Sequence, residues 1–191
     1  MAGRNLAGAK KKAETEKRTL VCVDEAAFYL LPSVVRTWAL RGQTPVLSEP
    51  LSRDHLSAIS AITPQGQLYL QLKEGAMDGW DVVRFLCHLL RHIPGKLLIL
   101  WDGASIHRGE AVRKLLDTDH HQDIWLERFP PYAPDLNPDE GIWHYLKNVE
   151  LRNMCIDTLP QLRTAIHQAA TRIRQKTHVI TACFQKAELT L

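Results

Sequence analysis

The sequence predicts an α/β fold in which helices flank a mixed five-stranded sheet. The first observation is a series of five short runs rich in apolar residues, each of strand length. The second is their spacing, because no segment with helical periodicity separates the first three runs, whereas helical segments separate the later ones. Crossover helices of this kind link the strands of a covered sheet. We therefore expect the first three strands to form a meander and crossover helices to link the later ones.

The first half of the chain contributes three strands. Residues 1–17 are polar and rich in lysine, and we expect a flexible basic lead-in there, followed by a single domain over 18–191. The basic run is either a solvated tail or an arm that contacts phosphates. A hairpin-like excursion is expected at 36–47, and a turn at 63–66 should join two antiparallel strands. Strands are expected at 19–24, 55–62 and 67–72.

The second half alternates helices with strands. The first of these helices should stop at Pro94-Gly95, and the fully buried strand after it ends on an acid, Asp102, just as the first strand of the chain ends on Asp24. The remaining strands are expected at 96–101 and 123–129. Helices are expected at 77–93, 107–117, 138–149 and 159–178.

Composition limits the class of protein. A chain of 191 residues with 45% hydrophobic and 24% charged residues suits one soluble domain with a sizeable core. No apolar run is long enough to span a membrane, and the N-terminus lacks the apolar region of a signal peptide. The four cysteines are scattered, which disfavours a zinc ribbon or a disulfide scaffold and suggests the cytoplasm. The formal charge of +3 permits a nucleic-acid partner without requiring one.

A proline-rich loop, FPPYAPDLNPDEGIW at residues 129–143, precedes the third helix. Its four prolines rule out a strand or a helix interior. Asn137 followed by Pro138 predicts a helix N-cap and first turn, with Glu140 at the third helical position. Glu140 then either closes a capping box or is a carboxylate that the stiff loop holds at a fixed point.

Three acids suggest a metal site. Asp24 and Asp102 each follow an apolar strand, and each alone is explained as a cap of the next turn. Sites in α/β sheets form outside strand ends, where Glu140 would join them. Three carboxylates held together repel one another unless a cation lies between them. Mg²⁺ or Mn²⁺ prefers such oxygen ligands, and two ions about 4 Å apart would clamp the attacking and leaving oxygens of a phosphoryl transfer.

The segments VDEAAF, LWDGASIHRG and FPPYAPDLNPDEGIWHYLK resemble the three motifs of the DDE transposases of bacterial insertion sequences related to the mariner superfamily. The resemblance covers residues 19–150. It implies a ribonuclease H-like catalytic domain, two divalent metal ions, and DNA cleavage followed by strand transfer. It also implies that Asp24, Asp102 and Glu140 are the catalytic acids and metal ligands, with Asp24 bridging both ions. Three neighbouring acids are interpreted as solvated or capping groups: Glu25, Asp135 and Asp139.

Four further residues are weaker candidates. His107 either contacts a scissile phosphate or orders the metal site, or is simply a histidine near a helix start. Trp38 and Arg41 are candidates for DNA contacts, although a core position is the simpler explanation for Trp38. Arg108 is a candidate for a phosphate contact. Trp143 is interpreted as a core residue that packs the third helix onto the sheet.

The resemblance also implies partners. DNA would be bound as transposon ends and target, and the active complex would be a homodimer. The helix-turn-helix region usual in the family does not precede the first strand, so we expect it on a separate or frameshift-fused polypeptide. Two other functions stay open: a catalytically inactive DNA-binding remnant of a transposase, and another ribonuclease H-like nuclease acting on RNA–DNA hybrids or junctions.

Overall fold

The sheet of the protein, seen in a computed structural model, has the predicted mixed arrangement. The structure describes residue 8 and residues 11–47, 52–118, 122–130 and 133–189. Within these residues the strands are β1 (Arg18–Tyr29), β2 (His55–Ile62), β3 (Leu68–Glu74), β4 (Lys96–Trp101) and β5 (Ile124–Arg128). Their order is β3-β2-β1-β4-β5. The first three form an antiparallel meander, whereas β4 pairs parallel with both β1 and β5. The prediction of a five-stranded mixed sheet flanked by helices is confirmed.

The helices match the predicted ones in place but differ at their ends. They are α1 (Gly79–His92), α2 (Glu110–Leu116), α3 (Pro138–Tyr145), α4 (Leu159–Arg174) and α5 (Thr177–Lys186). A 3₁₀ turn, Ser105–Arg108, precedes α2, and a π-helical turn, Leu146–Glu150, extends α3. The single helix predicted over 159–178 breaks at Lys176, whose ammonium contacts Glu150 Oε1 at 3.0 Å. The buried residues keep helical spacing through this break, which explains why the pattern predicted one helix.

Helices cover both faces of the sheet. One core lies between the sheet and α1 and α2, and it includes Val21 and Val23 of β1. The other lies between the sheet and α3, α4 and α5, and it includes Cys22 of β1. Successive side chains of a strand point to opposite faces. Two adjacent acids of β1, Asp24 and Glu25, therefore face different helices.

The predicted end of the first strand at Asp24 is wrong. The parallel pairing of β1 with β4 ends at Cys22 and Leu100, but the antiparallel pairing of β1 with β2 continues to Tyr29. Asp24 therefore lies inside β1, at the level where β4 ends and the chain turns away at Asp102. The prediction failed because the acid after the apolar run marks the place where the pairing with β4 ends, while β1 itself continues in its pairing with β2.

Two segments outside the sheet also bear on the sequence predictions. Among the described residues of the expected hairpin at 36–47 there is a turn at 41–42, with Gly42 at a φ of +84°, and no strand, so that prediction is wrong. Residues 11–15 of the expected lead-in are helical and Ala13 is buried, while 1–7 and 9–10 lie outside the described residues. None of the described helices combines the length and the apolarity needed to cross a membrane.

Candidate active site

Asp24 is a buried acid in the middle of β1. Its side chain is 7% exposed, and Trp143 of α3 donates its Nε1–H to Asp24 Oδ2 at 3.0 Å. Burial and, next, the negative charge of Glu140 raise the pKa of Asp24 to about 7. The predicted core position of Trp143 is confirmed by its burial, and its ring also packs edge-on against Phe28. Trp143 thus ties α3 to the carboxylate, a contact that the sequence did not indicate.

The start of α3 holds Glu140 outside the core. Asn137 caps the helix, since its side chain accepts from the backbone N–H of Asp139 at 3.1 Å, and Pro138 takes the first helical position as predicted. Glu140 closes no capping box, because the Asn137 N–H donates to the Pro134 carbonyl oxygen at 2.9 Å. The side chain of Glu140 is exposed while its charge acts on Asp24. Of the two explanations for Glu140, the structure favours a carboxylate held at a fixed point.

Asp139 is fully buried, which contradicts its interpretation as a solvated or capping acid. Ser60 of β2 donates its hydroxyl to Asp139 Oδ1 at 2.7 Å, and no described residue hydrogen-bonds Oδ2. Burial, followed by the charge of Asp24, raises the pKa of Asp139 well above its usual value. The helix start turns Asp139 inward and Glu140 outward. The sequence did contain a signal, since Asp139 lies four positions before Trp143 and shares its buried helix face.

Asp102 lies directly after β4 and is half exposed. The backbone N–H of Ala104 donates to Asp102 Oδ1 at 2.8 Å. His107 Nδ1 lies 3.0 Å from the same oxygen and 3.3 Å from the carbonyl oxygen of Asp102. Both side-chain contacts of Asp102 therefore fall on Oδ1.

His107 links Asp102 to Glu25. Its Nε2 lies 2.8 Å from Glu25 Oε1, and its ring stacks on Trp101 with centroids 4.2 Å apart and an interplanar angle of 2°. Burial acts to lower the pKa of His107, but the hydrogen bond and charge of Glu25, with a smaller effect of Asp102, outweigh it and raise the pKa. The interpretation of Glu25 as a solvated or capping acid is wrong, because strand alternation points it at this buried histidine.

The acids fit a hard divalent cation. In the described part of the chain, one group of three side chains brings its ligand atoms within 4.8 Å of one another: Glu25, Asp102 and His107. The ligand atoms of the predicted set, Asp24, Asp102 and Glu140, do not all lie within 4.8 Å of one another, and this ligand set stays a prediction. Asp24 and Glu140 repel each other, however, and a divalent cation between carboxylates relieves such repulsion. Both described side-chain contacts of Asp102 fall on Oδ1, and among the described residues none hydrogen-bonds Oδ2.

Of the weaker candidates, His107 contacts Asp102, whereas Trp38 and Arg41 lie on an exposed segment. Trp38 is fully exposed, so the core explanation for it is wrong, and Arg41 is exposed in the same segment. Arg108 belongs to the 3₁₀ turn after Asp102, but its side chain lies outside the described residues. The described residues do not place Trp38 or Arg41 in contact with the acids.

Two sequence comparisons bear on the identity of this site. A family model described as DDE superfamily endonuclease matches residues 19–163, a span that contains all three predicted acids. None of the curated proteins matches the chain.

The fold is similar to solved structures of the mariner Mos1 transposase. A Mos1 paired-end complex with Mg is 18% identical at a TM-score of 0.62, and the match covers 96% of this chain and 61% of that one. A Mos1 strand transfer complex gives 17%, a TM-score of 0.57, and coverages of 95% and 60%. The isolated Mos1 catalytic domain gives 16%, 0.52, and coverages of 95% and 94%. The predicted ribonuclease H-like fold is confirmed, and the chain spans about 60% of the length of the first two.

Proposed function

Because the chain belongs to the DDE superfamily of endonucleases, we propose that it is the catalytic domain of a transposase that cleaves DNA and transfers the cut strand. One observation carries the proposal. Asp24 is buried beside the charge of Glu140, and it lies level with Asp102 at the end of the neighbouring strand. Each acid comes from a different element, as expected of a site assembled by the fold and not by a local motif.

The proposed metal ligands are Asp24, Asp102 and Glu140. Two bound Mg²⁺ or Mn²⁺ ions would supply an activated water or DNA 3′-hydroxyl and would stabilise the leaving oxygen. The chain would position these ligands. Trp143 holds one oxygen of Asp24, and the Asn137 cap fixes the helix turn that carries Glu140. The Ala104 N–H holds Oδ1 of Asp102, the oxygen opposite Oδ2. The number of ions follows from the family resemblance.

The partners follow from the same proposal. The solved Mos1 structures include paired-end and strand transfer complexes, which supports DNA as the partner of this chain. A homodimer on paired ends, a helix-turn-helix region on a separate or frameshift-fused polypeptide, an origin in a bacterial insertion sequence and a cytoplasmic location are further parts of the proposal. They rest on the motif resemblance.

A nicking assay on supercoiled plasmid DNA tests the function. We expect the chain to nick the plasmid with Mn²⁺ and not with EDTA, and we expect Asp102→Asn to lose at least a hundredfold in rate because the ligand charge is removed. Asp157→Asn is the matched control, since Asp157 is an exposed acid before α4. Equal rates for wild type and Asp102→Asn would contradict catalysis by this acid, and no nicking by either would favour an inactive remnant. Faster cleavage of an RNA–DNA hybrid than of duplex DNA would favour the other nuclease class.

A further inference from the structure

We propose that Glu25 and His107 act as a positioning pair for Asp102: His107 holds the Asp102 carboxylate, and Glu25 holds His107. The inference rests on the proposed function, because it takes Asp102 as a metal ligand. It assigns a role to Glu25, which is not one of the three predicted ligands, and of the alternatives for His107 it takes the one in which His107 orders the metal site.

Asp102 needs such support because regular structure ends just before it. The strand β4 stops at Trp101. Its pairing with β1 ends one residue earlier, where Leu100 of β4 pairs with Cys22 of β1. The half-exposed carboxylate of Asp102 would otherwise rotate about its side-chain torsions. The Ala104 N–H and the His107 ring both contact Oδ1, which fixes the carboxylate and directs Oδ2 away from them. A ligand oxygen held in this way loses less conformational entropy when a cation binds.

The orientation of the His107 ring is itself fixed. Its face lies flat against the buried ring of Trp101, and only 3% of the residue is exposed. Its two nitrogens then point in different directions, Nε2 toward Glu25 and Nδ1 toward Asp102. Stacking fixes the ring plane, and the two polar contacts fix its rotation within that plane.

Glu25 anchors the pair to the centre of the sheet. It lies in β1, where its backbone pairs with Ile59 of β2, and its carboxylate reaches across the point where the β1–β4 ladder has ended. The path from Glu25 through His107 to Asp102 therefore replaces the missing backbone ladder with a side-chain link. This link holds Asp102 in register with Asp24, the neighbour of Glu25.

The alternative, a metal ion bound by Glu25, Asp102 and His107 themselves, fits the contacts less well. The two carboxylates meet different nitrogens of one imidazole ring. Nε2 lies 2.8 Å from Glu25 and Nδ1 lies 3.0 Å from the Asp102 carboxylate, so an ion on either nitrogen would replace a contact that is already made. Nε2 contacts the carboxylate of Glu25, whereas Nδ1 contacts both the carboxylate and the backbone carbonyl oxygen of Asp102, as expected of a histidine that supports a metal ligand.

The test measures Mn²⁺ affinity of the full chain by electron paramagnetic resonance of the free ion, without DNA. Asn at position 107 can present an amide nitrogen near the place of Nδ1, whereas Gln can present one near Nε2. We expect His107→Ala and His107→Gln to weaken Mn²⁺ binding about tenfold or more, as loss of a partner behind a metal ligand does. His107→Asn should stay within about threefold of wild type, since it keeps the contact to Asp102. Equal losses in the Asn and Gln variants, or none in the Ala variant, would overturn the proposal.

Two further comparisons keep the test decisive. If the His107 variants fail to fold, Glu25→Ala against Glu25→Gln replaces them: Gln keeps an acceptor for Nε2, so only the Ala variant should weaken Mn²⁺ binding. His178→Ala is the matched control, because His178 is exposed on α5. Binding that depends on Asp102 and follows this series, in a protein that cleaves no DNA, would refute the proposed function and leave the positioning pair standing. Wild-type affinity in Asp102→Asn would overturn the positioning pair.

Discussion

At the scale of single residues, Asp24 combines burial with a neighbouring like charge. In the folded chain the pKa of Asp24 is about 7, whereas in the unfolded chain it takes its ordinary value of 3.8. Between these pH values the folded state binds more protons, so the contribution to stability is complete below pH 3.8 and is lost as pH rises through 7. The active form of the site therefore costs folding free energy when no metal is bound.

This gives a pH prediction for metal-free protein. The free energy of unfolding in EDTA should fall between pH 4 and 8, by up to roughly 4 kcal/mol from Asp24 alone. Asp24→Asn keeps an acceptor for Trp143 but carries no charge, so it should flatten this slope and be more stable than wild type at pH 8. Urea unfolding of both proteins at a series of pH values measures the free energy of unfolding and its slope with pH. Asp139 adds to the slope in the same direction, so a reduced slope is expected and an unchanged one would contradict the account.

Sequence patterns reveal some residues of the candidate site and miss others. The three acids are predicted because an apolar run followed by an acid, and a helix start with prolines and a cap, are recognisable in a sequence. Glu25 and Asp139 were misread because each adjoins a recognised acid, and adjacency along the chain says nothing about burial until the face of the strand or helix is known. The partners Ser60 and His107 are 79 and 82 positions away from them, and no local pattern predicts such contacts.

At the scale of elements, the contact between α3 and α5 holds the helix that carries Glu140. A Cβ placed on Gly141 would lie 2.6 Å from Cys183 Sγ and 3.3 Å from Cys183 Cβ, so the two helices meet at a point that admits only glycine without movement. The same close contact lies one residue after the proposed metal ligand. Glycine here serves helix packing, since its φ is not in the left-handed region.

A substitution at this contact should reverse the usual helix preference. Alanine normally stabilises a helix relative to glycine by about 0.5–1 kcal/mol, but Gly141→Ala should destabilise the protein by roughly 1–3 kcal/mol because α3 and α5 must separate. Thermal or urea unfolding measures the change. In a Cys183→Ala background the sulfur is gone, and the cost of Gly141→Ala should shrink. The same cost in both backgrounds would show that the Cys183 side chain is not the obstacle.

The elements themselves were largely predictable, and their ends were not. The five predicted sheet strands and the predicted helices exist, because alternating and helical periodicities reflect which faces are buried, whereas the hairpin expected at 36–47 does not. The end of β1 was missed because it depends on β2, a partner about 30 residues away, and the break at Lys176 was missed because its contact with Glu150 lies outside the helix. Tertiary contacts decide such ends, and periodicity does not contain them.

At the scale of the whole molecule, the sheet order explains how three distant segments can form one site. The central strand β1 carries Asp24, the parallel neighbour β4 delivers Asp102 at its end, and α3 crosses the face of β1 with Glu140 in its first turn. The exposed segment around Trp38 lies outside this arrangement. The proposed site therefore needs the sheet and α3 together.

The same arrangement separates two sets of contacts that lie on opposite faces of the sheet, near the end of β4. Asp24, Trp143, Ser60 and Asp139 lie on the face covered by α3, whereas Glu25 and His107 lie on the opposite side of β1. Asp102 lies between the two sets: His107 contacts its carboxylate, which is half exposed. If Asp24, Asp102 and Glu140 are the ligands, the metal ion binds on the side of Asp24 and Glu140.

Anomalous diffraction from crystals of the protein grown with Mn²⁺ measures this directly. We predict an anomalous peak within about 2.5 Å of carboxylate oxygens from Asp24, Asp102 and Glu140, with His107 still contacting Asp102 Oδ1. A peak coordinated by His107, Glu25 and Asp102, with Asp24 and Glu140 free of the ion, would contradict the account.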